Sequence, residues 1–313
     1  MMKRIIQVIL ICYPYFLLGQ NYLDYYAQVN QAKKLVLQKE YQQALETYKN
    51  VFQTFDFEFA RDCIHAVEIA NLLEEEELSF YFATRALKRG VSIDYFVQEG
   101  RYEAFRATSS WKKLLTASDS LHQLYLNSIN LELRAEINEM FRADQAIRDR
   151  YYKWYNFLWR LLIGKKWKKL NLEQVERIVE ITEQLGFPGE RCIGIDLSEY
   201  HTNIERTQLS AGMPIVILIH HYSQPNLSYD SLFFQHILEG NLYNEHFATI
   251  CDFESKFGGE KYKNYGAYGN HFQSNLNEEL DDKRAKVGLL KRKTIEQLNY
   301  SQNVLTKFWN RLY

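Results

Sequence analysis

Two adjacent histidines, His220 and His221, close an apolar run, and a carboxylate, Asp252, follows them in the chain. Imidazole changes charge near neutral pH, and a carboxylate that orients or charges it makes an acid–base pair. Upstream, Asp144 and Arg148 stand four residues apart, so on a helix they share a face and can pair. The chemistry these residue types offer is an imidazole, of His220 or His221, as base, Asp252 as its orienter and Arg148 as a holder of anions. Asp144, Gln145, His220, Tyr265 and Gly266 are nominated as binding residues around them. Neighbouring helix residues point about 100° apart, so only one of the two histidines can face a given pocket. The plainer explanation of the set is a buried polar network whose members satisfy one another by hydrogen bonds. Tyr265-Gly266 by itself reads as a turn, with glycine supplying a conformation that other residues resist.

Other chemistries find less support. A metal site would draw on His221 and Asp252 with His236 or Asp144, but no HExxH or HxH spacing accompanies them. The GxSxG elbow, the phosphate-binding lysine loop and the dinucleotide glycine pattern are missing, so neither metal nor cofactor is expected. No CxxC spacing exists for structural zinc. Beyond Cys12, the cysteines are Cys63, Cys192 and Cys251; a Cys192–Cys251 disulfide and three buried thiols both remain open.

The elements that position these residues begin with a leader. Lys3 and Arg4 precede an apolar stretch over 5–18 that ends in Gly19-Gln20, the layout of a secretory signal peptide cleaved near Gly19 or Gln20. The stretch is short for a bilayer span and contains Pro14, and Leu10-Ile11 before Cys12 does not suit lipidation. The expectation is an exported chain, periplasmic or extracellular, with no integral membrane segment after cleavage. The 313 residues suffice for two ordinary domains. With 46% hydrophobic residues, only 4 Pro and 14 Gly, the composition is that of a folded helical protein rather than a turn-rich β fold. A net charge of -1 provides no global field for nucleic acid or an anionic membrane, so nucleic-acid binding is disfavoured and no nucleic-acid partner is expected.

From Tyr25 onward the apolar periodicity is helical. Val29, Ala32, Leu35, Val36 and Lys39 form one ladder, and Tyr41, Ala44, Leu45, Tyr48 and Phe52 form the next. Residues 59–73 and 78–87 repeat the helix–turn–helix pattern, and Gly90 stops it. The segment resembles a degenerate tetratricopeptide array of about two repeats, which implies a groove for a peptide or protein partner. Packing of these helices against the rest of the chain is the alternative. The acidic run 74–77 reads as a solvated helix start.

The expected organisation is all-α: signal peptide 1–20, helical repeats 21–115, a linker 116–130 with weak periodicity, and a second helical domain 131–313. Within a long helix expected over 131–163, Tyr152, Tyr155, Leu158, Trp159 and Leu162 make an apolar stripe. Lys165, Lys166, Lys168 and Lys169 around Trp167 could touch a membrane surface, but a solvated helix end is the favoured expectation for them. The run 215–219 suits a strand by its β-branched content and a helix by its length.

Asp144-Gln145-x-x-Arg148, Gly186-Phe187-Pro188 with Gly194, His221, Ala248-x-x-x-Asp252, Tyr265-Gly266 and the segment 282–289 occur in this order. The succession, over roughly 131–298, resembles a bacterial family of uncharacterised domains whose members often carry signal peptides. The resemblance implies a helical fold and brings no established activity. It aligns His221 with the family histidine, which selects His221 as the base, and puts His220 in place of a usual glutamine. Phe253 stands where the family has arginine, and Ala267-Tyr268 where it has Thr-Gln; these losses remove groups able to bind an anion or orient a substrate. A stretch at 195–212 is longer than usual. Two functions follow as expectations: an exported binding or scaffold module with a peptide or protein partner, or a hydrolase-like enzyme built on His221, Asp252 and Arg148.

Overall fold

The computed structural model describes residues 20–196, 209–222, 229–258, 264–267, 278–300 and 304–305. Residues 1–19 of the expected leader, Tyr268 and most of 195–212 lie outside them. Among the described residues all regular structure is helical and there is no strand, so the all-α class holds. The run 215–219 falls within a helix.

The first four helices are α1 (Tyr22–Leu37), α2 (Tyr41–Thr54), α3 (Ala60–Leu72) and α4 (Glu76–Lys88). They form two hairpins, α1 with α2 and α3 with α4, stacked through α2 and α3. Asn21 caps α1 by accepting from the Leu23 N–H at 3.0 Å, and Gly90 takes φ +92 beyond α4, as expected of a stop signal. Lys39 departs from the ladder drawn for it: α1 ends at Leu37, and Lys39 is exposed in the turn at φ +63.

Short helices α5 (Ile93–Gln98) and α6 (Glu103–Arg106) lead into α7 (Ser109–Ser128), which packs on α4. The expected linker at 116–130 is therefore mostly helix. The Thr108 hydroxyl accepts from the Trp111 N–H at 3.2 Å to start it. Trp111, Leu114, Leu121 and Tyr125 then bury one narrow stripe, while the Ser, Asp and Asn residues that suggested a boundary lie mainly on the solvent side.

The remaining helices are α8 (Leu131–Tyr152), α9 (Arg160–Leu185), α10 (Glu190–Ile193), α11 (Met213–Tyr222), α12 (Asp230–Leu238), α13 (Asn244–Phe253), α14 (Glu278–Lys286) and α15 (Arg292–Tyr300). The single helix expected over 131–163 is broken. Lys153 adopts extended geometry (φ -60, ψ 128), and a 3-10 turn, Trp154–Trp159, separates α8 from α9. α8 and α9 pair as a hairpin, and α11 packs against α8 and α9 as well as α13.

The two halves share one core, which runs continuously from Tyr22 to Leu289. Every residue of α3 from Ala60 to Ala70 is buried, including Arg61, Asp62, His65 and Glu68. Asp62 accepts from the Tyr25 hydroxyl at 2.9 Å and lies 3.6 Å from Lys33 Nζ; Arg61 lies 3.5 Å from Glu245 on α13. Phe59 stacks edge-on against Tyr243 at 4.8 Å, and Asn30 of α1 donates to the Gly288 carbonyl at 2.8 Å. Gly240, at φ +73, meets the Tyr22 ring so closely that a Cβ there would stand 2.5 Å from it.

Glu190 reaches across the halves and accepts from the Ala60 N–H at 2.5 Å, capping the start of α3 from α10. Burial pushes its carboxyl up to about 8, against the lowering effect of that backbone N–H and of Arg61. The unfolded chain releases this proton near pH 4.5, whereas the folded chain keeps it until about pH 8. Between those values the unfolded state binds fewer protons, so this group erodes stability as pH rises. Glu190→Gln keeps an acceptor for Ala60 and cannot ionise. Its stability relative to wild type is expected to rise by on the order of 3 kcal/mol between pH 5 and pH 8 in urea titrations; parallel pH profiles would refute the assignment.

Candidate functional site

Asp144, on the third turn of α8 from its C-terminal end, is fully buried. Its Oδ1 accepts from the Trp167 indole N–H at 2.8 Å, and its Oδ2 lies 2.8 Å from His220 Nδ1 and 3.0 Å from Gln145 Nε2. Arg148, one turn further on, donates to Gln145 Oε1 at 3.2 Å. With a carboxylate as partner, His220 Nδ1 carries the proton, which in the neutral ring makes Nε2 the acceptor. The Trp167 ring meets His220 edge-on at 5.2 Å. One buried carboxylate thus joins three helices and fixes an imidazole whose edge is partly exposed.

The helices are held in register by further polar ties. Asn171 donates to the Ile217 carbonyl at 2.9 Å, and Gln174 to the Met140 carbonyl at 2.6 Å. Trp167, Asn171 and Gln174 fall at i, i+4 and i+7 on one face of α9. That spacing of polar-tipped residues beside buried Val175 and Ile178 was the available signal for them. The nominated residues had included none of the three.

Asp252 lies in a second network. Among the described residues its hydrogen bonds are to backbone: Oδ1 accepts from the Tyr265 and Gly266 N–H groups, Oδ2 from Ala267 N–H. Beside it Arg284, also buried, donates from Nε to the Leu290 carbonyl at 2.6 Å and from Nη1 to the Tyr265 carbonyl at 2.5 Å. Burial pulls the Arg284 pKa below its ordinary value. The Tyr265-Gly266 segment is therefore a bend clamped from both sides, with Gly266 at φ +61.

His220 and His221 both occupy the last turn of α11. His221 is buried, burial draws its pKa down, and no hydrogen bond joins its ring to Asp252. The structure brings together Asp144, Gln145, Arg148 and His220 between α8 and α11, and separately Asp252 of α13 with Tyr265 and Gly266. His236 sits on α12 with Nδ1 3.0 Å from Glu239. Among the described residues no group of three or more His, Cys, Asp or Glu side chains is arranged to hold a metal ion. Cys63, Cys192 and Cys251 stand as thiols.

Two other features compete as sites. A cavity of about 230 Å³ between the halves is lined by Asp56, Lys88, Arg89, Tyr125, Glu190 and Arg191 among others. Its charges are largely engaged already: Arg191 with Asp56, Arg89 with Glu58 and Glu190 with Ala60.

The second feature is the tip joining α8 to α9. None of the six residues Trp154–Trp159 is buried. Trp154 is 81% exposed, Leu158 83%, Leu161 83% and Phe157 69%, with Tyr152, Tyr155, Trp159 and Leu162 also exposed. The apolar stripe read from the sequence at Tyr152, Tyr155, Leu158, Trp159 and Leu162 therefore faces solvent. Lys165, Lys166, Lys168 and Lys169 lie within the second and third turns of α9 rather than at a helix end.

Comparison of the chain with protein-family models, with curated proteins and with solved structures gave no match.

Asp252→Asn would set an NH2 group against a backbone N–H of the clamped bend. The expected cost is about 1–3 kcal/mol in urea unfolding; an unchanged midpoint would show that Asp252 does not hold the bend.

Proposed function

We propose that this protein is an exported binding module that docks onto a partner surface through the α8–α9 tip, with the helical hairpins as its scaffold. The observation that carries the proposal is the exposure of eight large apolar side chains between Tyr152 and Leu162. Contiguous apolar surface of this kind on a folded chain marks an interaction site. The charged rim around it agrees with the general anatomy of docking patches, apolar at the centre and polar at the edge.

The hairpins support a scaffold role. The first helices of both, α1 and α3, are packed against the C-terminal half through Tyr26, Asn30, Phe59 and Arg61. A tetratricopeptide-like array would offer a peptide partner a concave face, and here the chain's own helices lie on α1 and α3. Export is supported by Lys3, Arg4 and the apolar stretch that follows. Cleavage after Gly19 would also keep the Gln20 side-chain bonds to the Thr54 carbonyl and the Asp56 N–H.

A photo-crosslinking amino acid at position 158, with the same group at exposed Glu183 as control, tests the docking proposal in cells. The expected outcome is a discrete adduct, of protein or lipid, from position 158 alone. Equal labelling from both positions would remove the tip as a docking element.

A second reading rests on the 2.8 Å Asp144–His220 contact. A buried carboxylate that fixes the tautomer of a partly exposed imidazole is the arrangement used by general bases. This reading shifts the expected base from His221 to His220 and its orienter from Asp252 to Asp144, with Arg148 joined to the same network through Gln145. Its test is a screen of generic ester, amide and phosphoester substrates. Turnover by the wild-type chain that His220→Gln loses, with unchanged circular dichroism, would make the enzyme reading the better one.

A further inference from the structure

The docking proposal leaves the partner open, and the chemistry of the tip narrows it. Residues 148–169 contain eight basic side chains and one acidic, Asp149, in a chain whose net charge is -1. Arg150, Lys153, Lys165, Lys166, Lys168 and Lys169 are exposed, and the apolar side chains lie between the two basic groups along the chain. α9 opens with Arg160, has no acidic residue in its first turn and continues into the lysines. Helix starts ordinarily favour acidic residues, so this composition is not explained by the stability of the helix itself.

The spacing matches a bilayer boundary. Along α9 a rise of about 1.5 Å per residue puts Lys165 about 6 Å and Lys169 about 12 Å behind Leu161. Interfacial elements sink their apolar side about 5–10 Å into the headgroup boundary, which leaves these lysines among the headgroups. Trp154, Tyr155 and Trp159 are the residue types enriched at that depth, and lysine stems lie along apolar surface while the ammonium reaches water. No helix among the described residues is long and apolar enough to cross a membrane.

Resting on the docking proposal, we propose that the α8–α9 tip inserts into the interfacial layer of an anionic lipid bilayer, with its basic side chains against lipid phosphates. The sequence alone had favoured a solvated helix end for these lysines; the exposed aromatic and leucine tip ahead of them changes the balance. A second copy of the chain is a poorer occupant, because a two-fold pairing of the tips would bring two collars of like charge together. Nucleic acid has a use for the basic and aromatic residues but none for Leu158, Leu161 and Leu162.

The test uses the full chain, so that residues 1–19 are common to every variant. Flotation is measured with vesicles of phosphatidylcholine alone and with a third phosphatidylglycerol, and tip depth by quenching of tryptophan fluorescence with brominated acyl chains. Binding to the anionic vesicles is expected to exceed that to phosphatidylcholine at least tenfold, and to fall roughly tenfold between 0.1 M and 0.5 M salt. Leu158→Ser with Leu161→Ser, and separately a four-fold Lys→Gln change at 165, 166, 168 and 169, should each lower it at least tenfold. Both changes lie at exposed positions, and the salt titration needs no variant. Quenching should fall sharply in Trp154→Phe with Trp159→Phe.

Equal binding to both vesicle types, quenching unaffected by the Trp changes, or a concentration-dependent dimer lost in the leucine variant would each overturn the lipid assignment. If position 158 crosslinks to a protein in cells while vesicles do not bind, docking stands and only the lipid assignment falls. If position 158 labels nothing specific, docking itself fails.

Discussion

The fold depends on burying α3 with its charges attached. A helix whose residues from Ala60 to Ala70 are all inaccessible needs a partner for each polar side chain, because an isolated buried charge costs several kcal/mol. Those partners come from every direction: Tyr25 and Lys33 for Asp62, Glu245 for Arg61, Arg101 for Glu68. Glu190 supplies an acceptor at the start of the helix from the far half of the chain. Neither half can therefore be completed without the other, and the boundary drawn between two domains is crossed by one core.

That constraint fixes where α11 and α13 lie, and so which polar residues meet. Glu245, on α13, pairs with Arg61, while α11 fits between α13 and the α8–α9 hairpin. The two histidines that close α11 then face different surroundings, since adjacent helix positions diverge by about 100°. His220 turns to Asp144 and Trp167; His221 is buried among other neighbours. Asp252, whose place in the chain suggested a partner for His221, holds a backbone bend instead. A carboxylate can accept several N–H bonds at once, and a bend that offers three in a row is a strong competitor for it.

The tip obeys the opposite rule. Between Trp154 and Leu162 apolar side chains remain in solvent. Tyr151 and Tyr152 pack on Trp167 at 5.7 and 6.4 Å, so the base of the tip is braced by the same residue that holds Asp144. Gly164 lies close to the Tyr151 ring, where a Cβ would stand 3.3 Å from it.

The sequence by itself determined the helical class and most of the first half. The ladders at Val29–Val36 and Tyr41–Phe52, and the stop at Gly90, depend on a 3.6-residue period and on backbone preference, which are local properties. Local signals also nominated Asp144, Arg148 and the histidine pair. Tertiary structure alone decided which histidine meets which carboxylate, that 116–128 is helix with one buried stripe, and that the stripe at 152–162 faces water. A single apolar face looks the same in sequence whether a neighbour covers it or none does. Its fate is set by elements distant in the chain, and so is the partner of every buried charge.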